Sequence, residues 1–387
     1  MYIKKNKIDV LITNAWDRIG YNVLRGLAGK GLNVALGTDN YLGMAYYSHY
    51  CAAKFIHSNY KLSEQNFIED VTKAIQKFQA SVYIPTGEEV FAVSRNLERF
   101  KNLNVNIPVS DINTLEILNN KIFSYEIAKS AEVPVPDTIV PQSLDEIINF
   151  IQQSGKRAVI KKGWSRSAQG VFFLNGNENE KVIKKILSGS KLEFGKFIIQ
   201  RYVSGETYGV SLLMNHGEPR AIFTHKRLRE KIKSGGPSTL RVSARNQLLE
   251  EYAVRLLNSI KFHGVAMLEF KYDERTKQGW FIEVNPRFWG SVGLAINSGV
   301  NFPYLLYKMA IDGDVEPVFN YREGFKAKWL LGDISAITKN IFFGKTLSEF
   351  KKLFNEADIY DDYYKDDKLP FYAWIYLLFR RKIVKLK

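Results

Sequence analysis

From Gly264 to Phe288 the chain reads GVAMLEFKYDERTKQGWFIEVNPRF, two alternating apolar runs around a polar turn at Asp273–Gly279. This pattern is a β-hairpin and obliges the chain to build an antiparallel sheet here. It also sets which side chains are neighbours. Side chains alternate faces along a strand, so Phe281, Glu283, Asn285 and Arg287 share one face while the strand lasts. Glu269 on the partner run can lie beside Glu283. Adjacent carboxylates repel, and a divalent cation reverses that: Mg²⁺ takes oxygen ligands and commonly shares them with phosphates. Asn285 offers a neutral oxygen, and Arg287 a guanidinium suited to a phosphoryl group. A surface hairpin with a charged outer face would carry the same residues, so the hairpin alone leaves both readings open. Phe281 and Trp289 are expected to wall the site or its core.

The first third is patterned differently. IDVLIT reads as a buried strand, GYNVLRGLAGKG as a helix closed by glycine and LNVALGTD as a second strand. That β-α-β order predicts a parallel sheet. The turn TNAWDRIG holds only Gly20 where a dinucleotide fingerprint needs three glycines, which argues against a nicotinamide enzyme. SVYIPTGEEV predicts a later strand and a helix start, and IPVSDINT a domain boundary with a helix cap. The middle third is rich in antiparallel strands. Beyond Pro303 the pattern turns helical in YLLYKMAIDG and TLSEFKKLFNEA, followed by DDYYKDD, the aromatic run FYAWIYLLF and a basic end, RRKIVKLK.

A formal charge of +15 over 387 residues points to nucleic acid, an acidic membrane surface or an anionic substrate. No aromatic-basic interleaving of the RNA-binding kind is visible. The single cysteine, Cys51, excludes an intrachain disulfide framework, fits a reducing cytosol and reads as a small buried hydrophobe. Five histidines and one cysteine argue against a zinc site. The first apolar run stops at Asn14, too short for a signal peptide. FYAWIYLLF is too short to span a bilayer, which takes ~20 helical residues. With its basic end it could lie beside anionic lipid, or pack on the core as a terminal helix.

Three further blocks bear on anions. Lys161 ends AVIKK and precedes the polar loop GWSRSAQG, where Gly163, Ser165, Ser167 and Gly170 could turn N–H groups onto phosphate. Lys162 could take its place, and a plain turn would look the same. In IIQRYVSGE the strand enters a hinge whose backbone could bond a purine edge, with Glu206 on ribose hydroxyls, though any strand-turn-strand has this form. HKRLREKIKSGGPS holds Lys226, Arg227, Arg229, Lys231 and Lys233 before a Gly-Gly-Pro loop; it suits an anion with a gating loop, or a solvated basic face.

In this order, over roughly residues 1 to 305, these blocks resemble the ATP-grasp superfamily, in its carboxylate–amine ligase branch related to carbamoyl-phosphate synthase. GVAMLEFK with FIEVNPRFWGS and LAINSGVNFP carries most of the resemblance; NNKIFSYEIAKSAEVPVP, AVIKK and IIQRYVSGE fall in the expected order. The resemblance implies an α/β and α+β architecture. A Rossmann-like N-terminal domain would cover 1–112, a two-subdomain ATP-grasp fold clasping ATP 113–305, and a helical C-terminal extension with a basic tail 306–387. It implies that Lys121 and Lys161 meet the nucleotide phosphates, with Arg227 also binding the nucleotide. Gln200, Arg201, Tyr202 and Val203 would form the adenine hinge, with Glu206 on the ribose. Glu269, Glu283 and Asn285 would hold Mg²⁺, or Mn²⁺ in its place, and Arg287 with Lys161 would serve the transferring phosphoryl or the acyl phosphate. Two positions depart from the family pattern: Lys162 stands where proline is usual, and Arg201 where the hinge often has glutamate.

The implied activity is an ATP-dependent ligase that makes an acyl phosphate from a carboxylate for attack by an amine. Carboxy-phosphate chemistry on bicarbonate is its alternative within the superfamily, and a non-catalytic basic binder of membranes or nucleic acid the alternative outside it. The implied partners are ATP, a small carboxylate and an amine, and no nucleic acid. A homodimer is compatible, as is a cytoplasmic location with tail contacts at the inner membrane face.

Overall fold

β1 (Val10–Thr13), β2 (Val34–Thr38), β3 (Ala53–Ile56) and β4 (Val82–Pro85) form a parallel sheet in the order β3-β2-β1-β4. All of β1, β2 and β4 is buried, as strands covered on both faces require. The structure, a computed structural model, describes residues 7–154, 157–164, 170–231, 236–334 and 356–385; Ser165, Ser167, Lys233 and most of TLSEFKKLFNEA lie outside these. α1 (Arg18–Ala28) begins at Asp17, whose carboxylate accepts the Ile19 N–H at 2.8 Å. α2 (Glu64–Phe78) and α3 (Glu89–Arg95) complete this unit. Buried Glu89 accepts from the Thr13 hydroxyl (3.0 Å) and from the N–H groups of Thr86 (2.9 Å) and Gly87 (3.1 Å), which fixes the turn carrying Glu88.

Asp111 caps α4 (Ile112–Asn119) through the Thr114 N–H at 3.0 Å, and α5 (Lys121–Ser130) follows. A small antiparallel sheet comes next, β5 (Thr138–Ile139), β6 (Ala158–Lys162), β7 (Val171–Leu174) and β8 (Phe197–Arg201) in the order β5-β8-β6-β7. With α6 (Leu144–Ser154) and α7 (Glu180–Gly189) it has a core of its own around Ile147, Ile160, Ile183 and Phe197.

The largest sheet has seven strands: β9 (Glu206–Asn215), β10 (Glu218–Glu230), β11 (Ser238–Ser243), β12 (Gly264–Asp273), β13 (Gln278–Asn285), β14 (Lys326–Lys328) and β15 (Ile359–Tyr360). Their order is β13-β12-β9-β10-β11-β14-β15. Along β9, Leu212 packs into one core with Leu257 of α8 (Gln247–Ser259) and Phe270 of β12. Leu213, one residue on, faces the other way, into a core shared with Val10, Leu36 and Trp289. That shared core holds the N-terminal unit against the large sheet.

After α9 (Val292–Asn297) and α10 (Phe302–Asp312), the C-terminal part is not helical alone: it adds β14 and β15 to the large sheet before α11 (Leu369–Lys385). The DDYYKDD run is a clamp on the N-terminal unit. The Tyr21 hydroxyl donates to the Asp367 carboxylate (3.1 Å), Tyr364 to Asn22 Oδ1 (2.6 Å) and Arg25 Nη2 to Asp366 (3.0 Å).

Candidate functional site

In the hairpin, Glu269 lies directly opposite Glu283, and Met267 opposite Asn285. At the next step Phe270 faces Phe281, which leaves Ile282 as the extra residue of a β-bulge. The bulge reverses the alternation. Ile282 and Glu283 line a cavity, whereas Phe281 is fully buried on the opposite face, 6.0 Å from the Phe270 ring and 5.7 Å from that of Tyr125. The expectation that Phe281 shares the face of Glu283 is corrected by this one residue. Trp289 both lines the cavity and belongs to the shared core.

The cavity, of about 840 Å³, lies between the two later sheets and the N-terminal unit. Lys121, the first residue of α5, reaches to 3.2 Å from Glu283, and Arg227 on β10 is ion-paired with Glu269. Of the two strand-end lysines, Lys161 lines the cavity. It is buried and donates to Gln200 Oε1 at 2.8 Å and to the Tyr125 hydroxyl at 3.1 Å. Tyr125 in turn donates to the Ile282 carbonyl at 2.8 Å, so α5, the small sheet and the hairpin meet at one hydroxyl.

Burial draws the Lys161 ammonium down to about 8, against the pull of Glu283 and Glu269. Burial also pushes Glu269 up, outweighing Arg227, and the facing Glu283 adds to the rise. Glu283 is held below the usual carboxylate range because Lys121 and Lys161 outweigh its burial. Two facing, part-buried carboxylates that resist simultaneous ionisation, with the Asn285 oxygen beside them, fit a hard divalent cation that completes its shell with phosphate and water. Among the described residues no cluster of three or more His, Cys, Asp or Glu forms a metal site on protein ligands alone.

Gln200, Arg201, Tyr202 and Val203 all line the cavity. The N–H groups of Arg201 and Tyr202 are already given to the carbonyls of Asp137 and Arg157, both at 2.8 Å. The Arg201 guanidinium pairs with the Asp137 carboxylate at 3.1 Å. Glu206 requires a correction. On β9 it falls on the face of Tyr208, which packs into the α8 core, and its carboxylate pairs with Lys226. It is not among the cavity-lining residues; Thr207 and Lys271, hydrogen-bonded at 2.8 Å, line the wall there. Arg229 is also engaged elsewhere, with Asp333 and Glu356, both at 2.6 Å.

The other end of the cavity is built from residues that motif reasoning passed over: Asp17, Arg18, Glu88, Arg241 and Trp329. Arg287 donates to Asn285 Oδ1 (3.1 Å) and the Phe288 carbonyl (2.9 Å) and lies 3.8 Å from Glu88. Arg18 donates to the Gly290 carbonyl at 3.1 Å, with its guanidinium 3.9 Å over Trp329. Arg241 is fully buried and paired with Asp361, which is 3.9 Å from Arg18. One available signal was the arginine inside the apolar strand STLRVS. Another was the carboxyl end of the parallel strands, where open α/β sheets place ligands.

The family model described as "ATP-grasp in the biosynthetic pathway with Ter operon" matches residues 193–332, which include β8 to β14 and the paired glutamates. Over that span the chain is similar to ATP-grasp proteins. It is similar to acetyl-CoA carboxylase 1 of Arabidopsis thaliana, 26% identical over 202 residues, 45% of this chain and 9% of the plant protein. It is 20% identical over 331 residues to the large chain of carbamoyl phosphate synthase from Pyrococcus furiosus, covering 79% of this chain and 30% of that one. The chain thus spans less than a third of the length of either relative. Its fold matches the biotin carboxylase domain dimer of Hydrogenobacter thermophilus 2-oxoglutarate carboxylase, solved with MgADP, ADP and bicarbonate. The TM-score is 0.65 at 13% identity, covering 83% of this chain and 74% of that one.

If phosphate oxygens meet Lys161, they return its proton. The free protein holds Lys161 neutral above about pH 8, so MgADP binding should take up protons there and weaken as pH rises. Calorimetry at pH 9 in two buffers of different ionisation enthalpy is expected to give different heats, and Lys161→Met to abolish the difference. Equal heats for the unaltered protein would place Lys161 away from the phosphates.

Proposed function

We propose that the protein is an ATP-dependent ligase that activates a carboxylate as an acyl phosphate for capture by an amine. The observation that carries this reading is the Glu269–Glu283 pair, held face to face inside a ring of Lys121, Lys161 and Arg227. Mg²⁺ bound by Glu269, Glu283 and Asn285, or Mn²⁺ in its place, would supply charge neutralisation at the phosphates. The purine edge would be read at the hinge through Val203, since the preceding two amides are already hydrogen-bonded. Lys121 and Lys161 would hold the phosphates. Arg227, now on Glu269, would turn to the phosphates once a cation takes that carboxylate.

A substrate carboxylate oxygen attacks the γ-phosphorus, the bond to the β,γ-bridging oxygen breaks and ADP leaves. Arg287, oriented by Asn285 and the Phe288 carbonyl, would stabilise the equatorial oxygens and then the acyl phosphate. A neutral amine adds to the acyl carbon, inorganic phosphate departs with the original carboxylate oxygen, and the amine's proton passes to solvent. Bicarbonate as the activated acid is the second form, favoured by its presence in the H. thermophilus domain.

We place the partner surface on α11. Leu369, Tyr372, Tyr376 and Phe379 are exposed along one stripe, Trp374 and Leu377 pack inward, and Arg380 is exposed at the end. No helix among the described residues is long and apolar enough to cross a membrane. The stripe and Arg380 fit an anionic lipid surface, and a homodimer would be the other use of the same face.

Activity is tested by ADP release over amino acids, dipeptides, uronic acids and bicarbonate. The responding acid, labelled with ¹⁸O in its carboxylate, should pass one label to inorganic phosphate. Glu283→Ala should lower turnover at least ~100-fold. Unlabelled phosphate, or full turnover in that variant, would refute the ligase reading. For the surface, a triple Tyr372→Ser, Tyr376→Ser and Phe379→Ser variant should lose sedimentation with phosphatidylserine vesicles. Equal sedimentation, or a dimer lost in the variant without any vesicle binding, would remove the membrane assignment.

A further inference from the structure

A part-buried cation of the cavity, Lys271, has no part in the acyl-phosphate chemistry. It lines the wall two residues along β12 from Glu269, on the same face of the strand. Its ammonium donates to the Thr207 hydroxyl at 2.8 Å and to the Gly205 carbonyl at 3.2 Å, so both bonded partners are neutral. Burial draws its pKa down, with Arg227 and Lys161 adding to the fall and Glu230 and Glu269 opposing it. An ammonium has three N–H donors, and two are used here. Thr207 Oγ1 is the acceptor in its bond with Lys271, so its own proton is free for another partner. One N–H and one O–H, on directly paired residues of β12 and β9, are thus left to donate among the described residues.

The strand register places this pair between the hinge and the metal edge. Lys271 lies opposite Thr207, and Glu269 opposite Gly209. The hinge residues Gln200 to Val203 precede Gly205, and β9 begins at Glu206. Two residues along a strand advance ~7 Å, which is room for one pentose. A nucleotide with its purine at the hinge and its phosphates at Glu269 and Glu283 has its ribose here by covalent order alone. Ribose brings two vicinal hydroxyl oxygens, each able to accept a hydrogen bond. The phosphate end already holds Lys121, Lys161 and Arg227, whereas Lys271 is tethered to the Gly205 carbonyl on the hinge side. The alternation that puts Thr207 on the cavity wall puts Glu206 on the other face. Glu206 lies opposite Tyr272, outside the cavity lining, with its carboxylate on Lys226.

We propose that Lys271 and Thr207 read the sugar of the nucleotide, donating to its 2′ and 3′ hydroxyl oxygens and selecting ribonucleotides over deoxyribonucleotides. This rests on the nucleotide cleft of the ligase reading.

The test is calorimetric titration of the full chain with ADP and with 2′,3′-dideoxy-ADP, each with Mg²⁺. Two lost hydrogen bonds, one of them from a cation, should make the dideoxy nucleotide bind at least ~10-fold more weakly. A double Lys271→Met, Thr207→Val variant should bind ADP as weakly as the unaltered protein binds dideoxy-ADP. Its own affinity for dideoxy-ADP should be unchanged, which reports an intact fold and intact phosphate contacts. Glu206→Gln should keep the full preference for ADP. Equal affinity of the unaltered protein for the two nucleotides, a preference that survives the double substitution, or a loss shared equally by dideoxy-ADP would overturn the proposal. So would a preference abolished by Glu206→Gln. Failure of MgADP to bind the unaltered protein would instead remove the ligase reading.

Discussion

Two carboxylates held directly opposite each other on a cavity wall are the constraint around which the rest of the site is arranged. The cross-strand register of β12 and β13 forces Glu269 against Glu283. Neither is fully exposed to water, so their repulsion is not screened away. Three cations answer it from three elements: Lys121 at the start of α5, Lys161 at the end of β6 and Arg227 on β10. Each is also a phosphate-seeking group. A metal-bound nucleotide, as proposed above, would meet all three cations and the two carboxylates in one place.

The architecture explains how such distant segments meet. The bulge at Ile282 turns Glu283 to the cavity and Phe281 to the core, and presents the carbonyl that Tyr125 uses to tie α5 to the hairpin. The small sheet, with its separate core, carries Lys161 and the hinge. The N-terminal unit contributes Asp17, Arg18 and Glu88, and the DDYYKDD clamp fastens that unit while Asp361 holds Arg241 and Arg18 in place. The walls of the cavity thus come from three different parts of the chain.

This division also decides what was legible in the sequence. The hairpin, the opposed glutamates and the strand-end lysine follow from period-two alternation over long apolar runs, which is a local signal. Phe281 and Glu206 were misplaced because alternation assumes an unbroken register and a strand that begins facing the site. One bulged residue and the entry of β9 after Gly205 undo those assumptions. Arg18, Glu88, Arg241 and Asp361 are brought together only by tertiary packing, across more than three hundred residues of chain. No spacing rule connects them. DDYYKDD carries no local sign of the clamp it forms, because Tyr21, Asn22 and Arg25, its partners, lie more than three hundred residues earlier in the chain.

The central claim is that Glu269 and Glu283 are the metal edge of a nucleotide cleft. Its most direct test is the affinity for ADP with and without Mg²⁺, in the unaltered protein and in a double Glu269→Gln, Glu283→Gln variant. The account predicts that Mg²⁺ tightens ADP binding at least ~10-fold in the unaltered protein. In the variant, ADP alone should bind at least as well as before, and Mg²⁺ should add nothing. Equal ADP affinity with and without Mg²⁺ in the unaltered protein, or an undiminished Mg²⁺ effect in the variant, would contradict it.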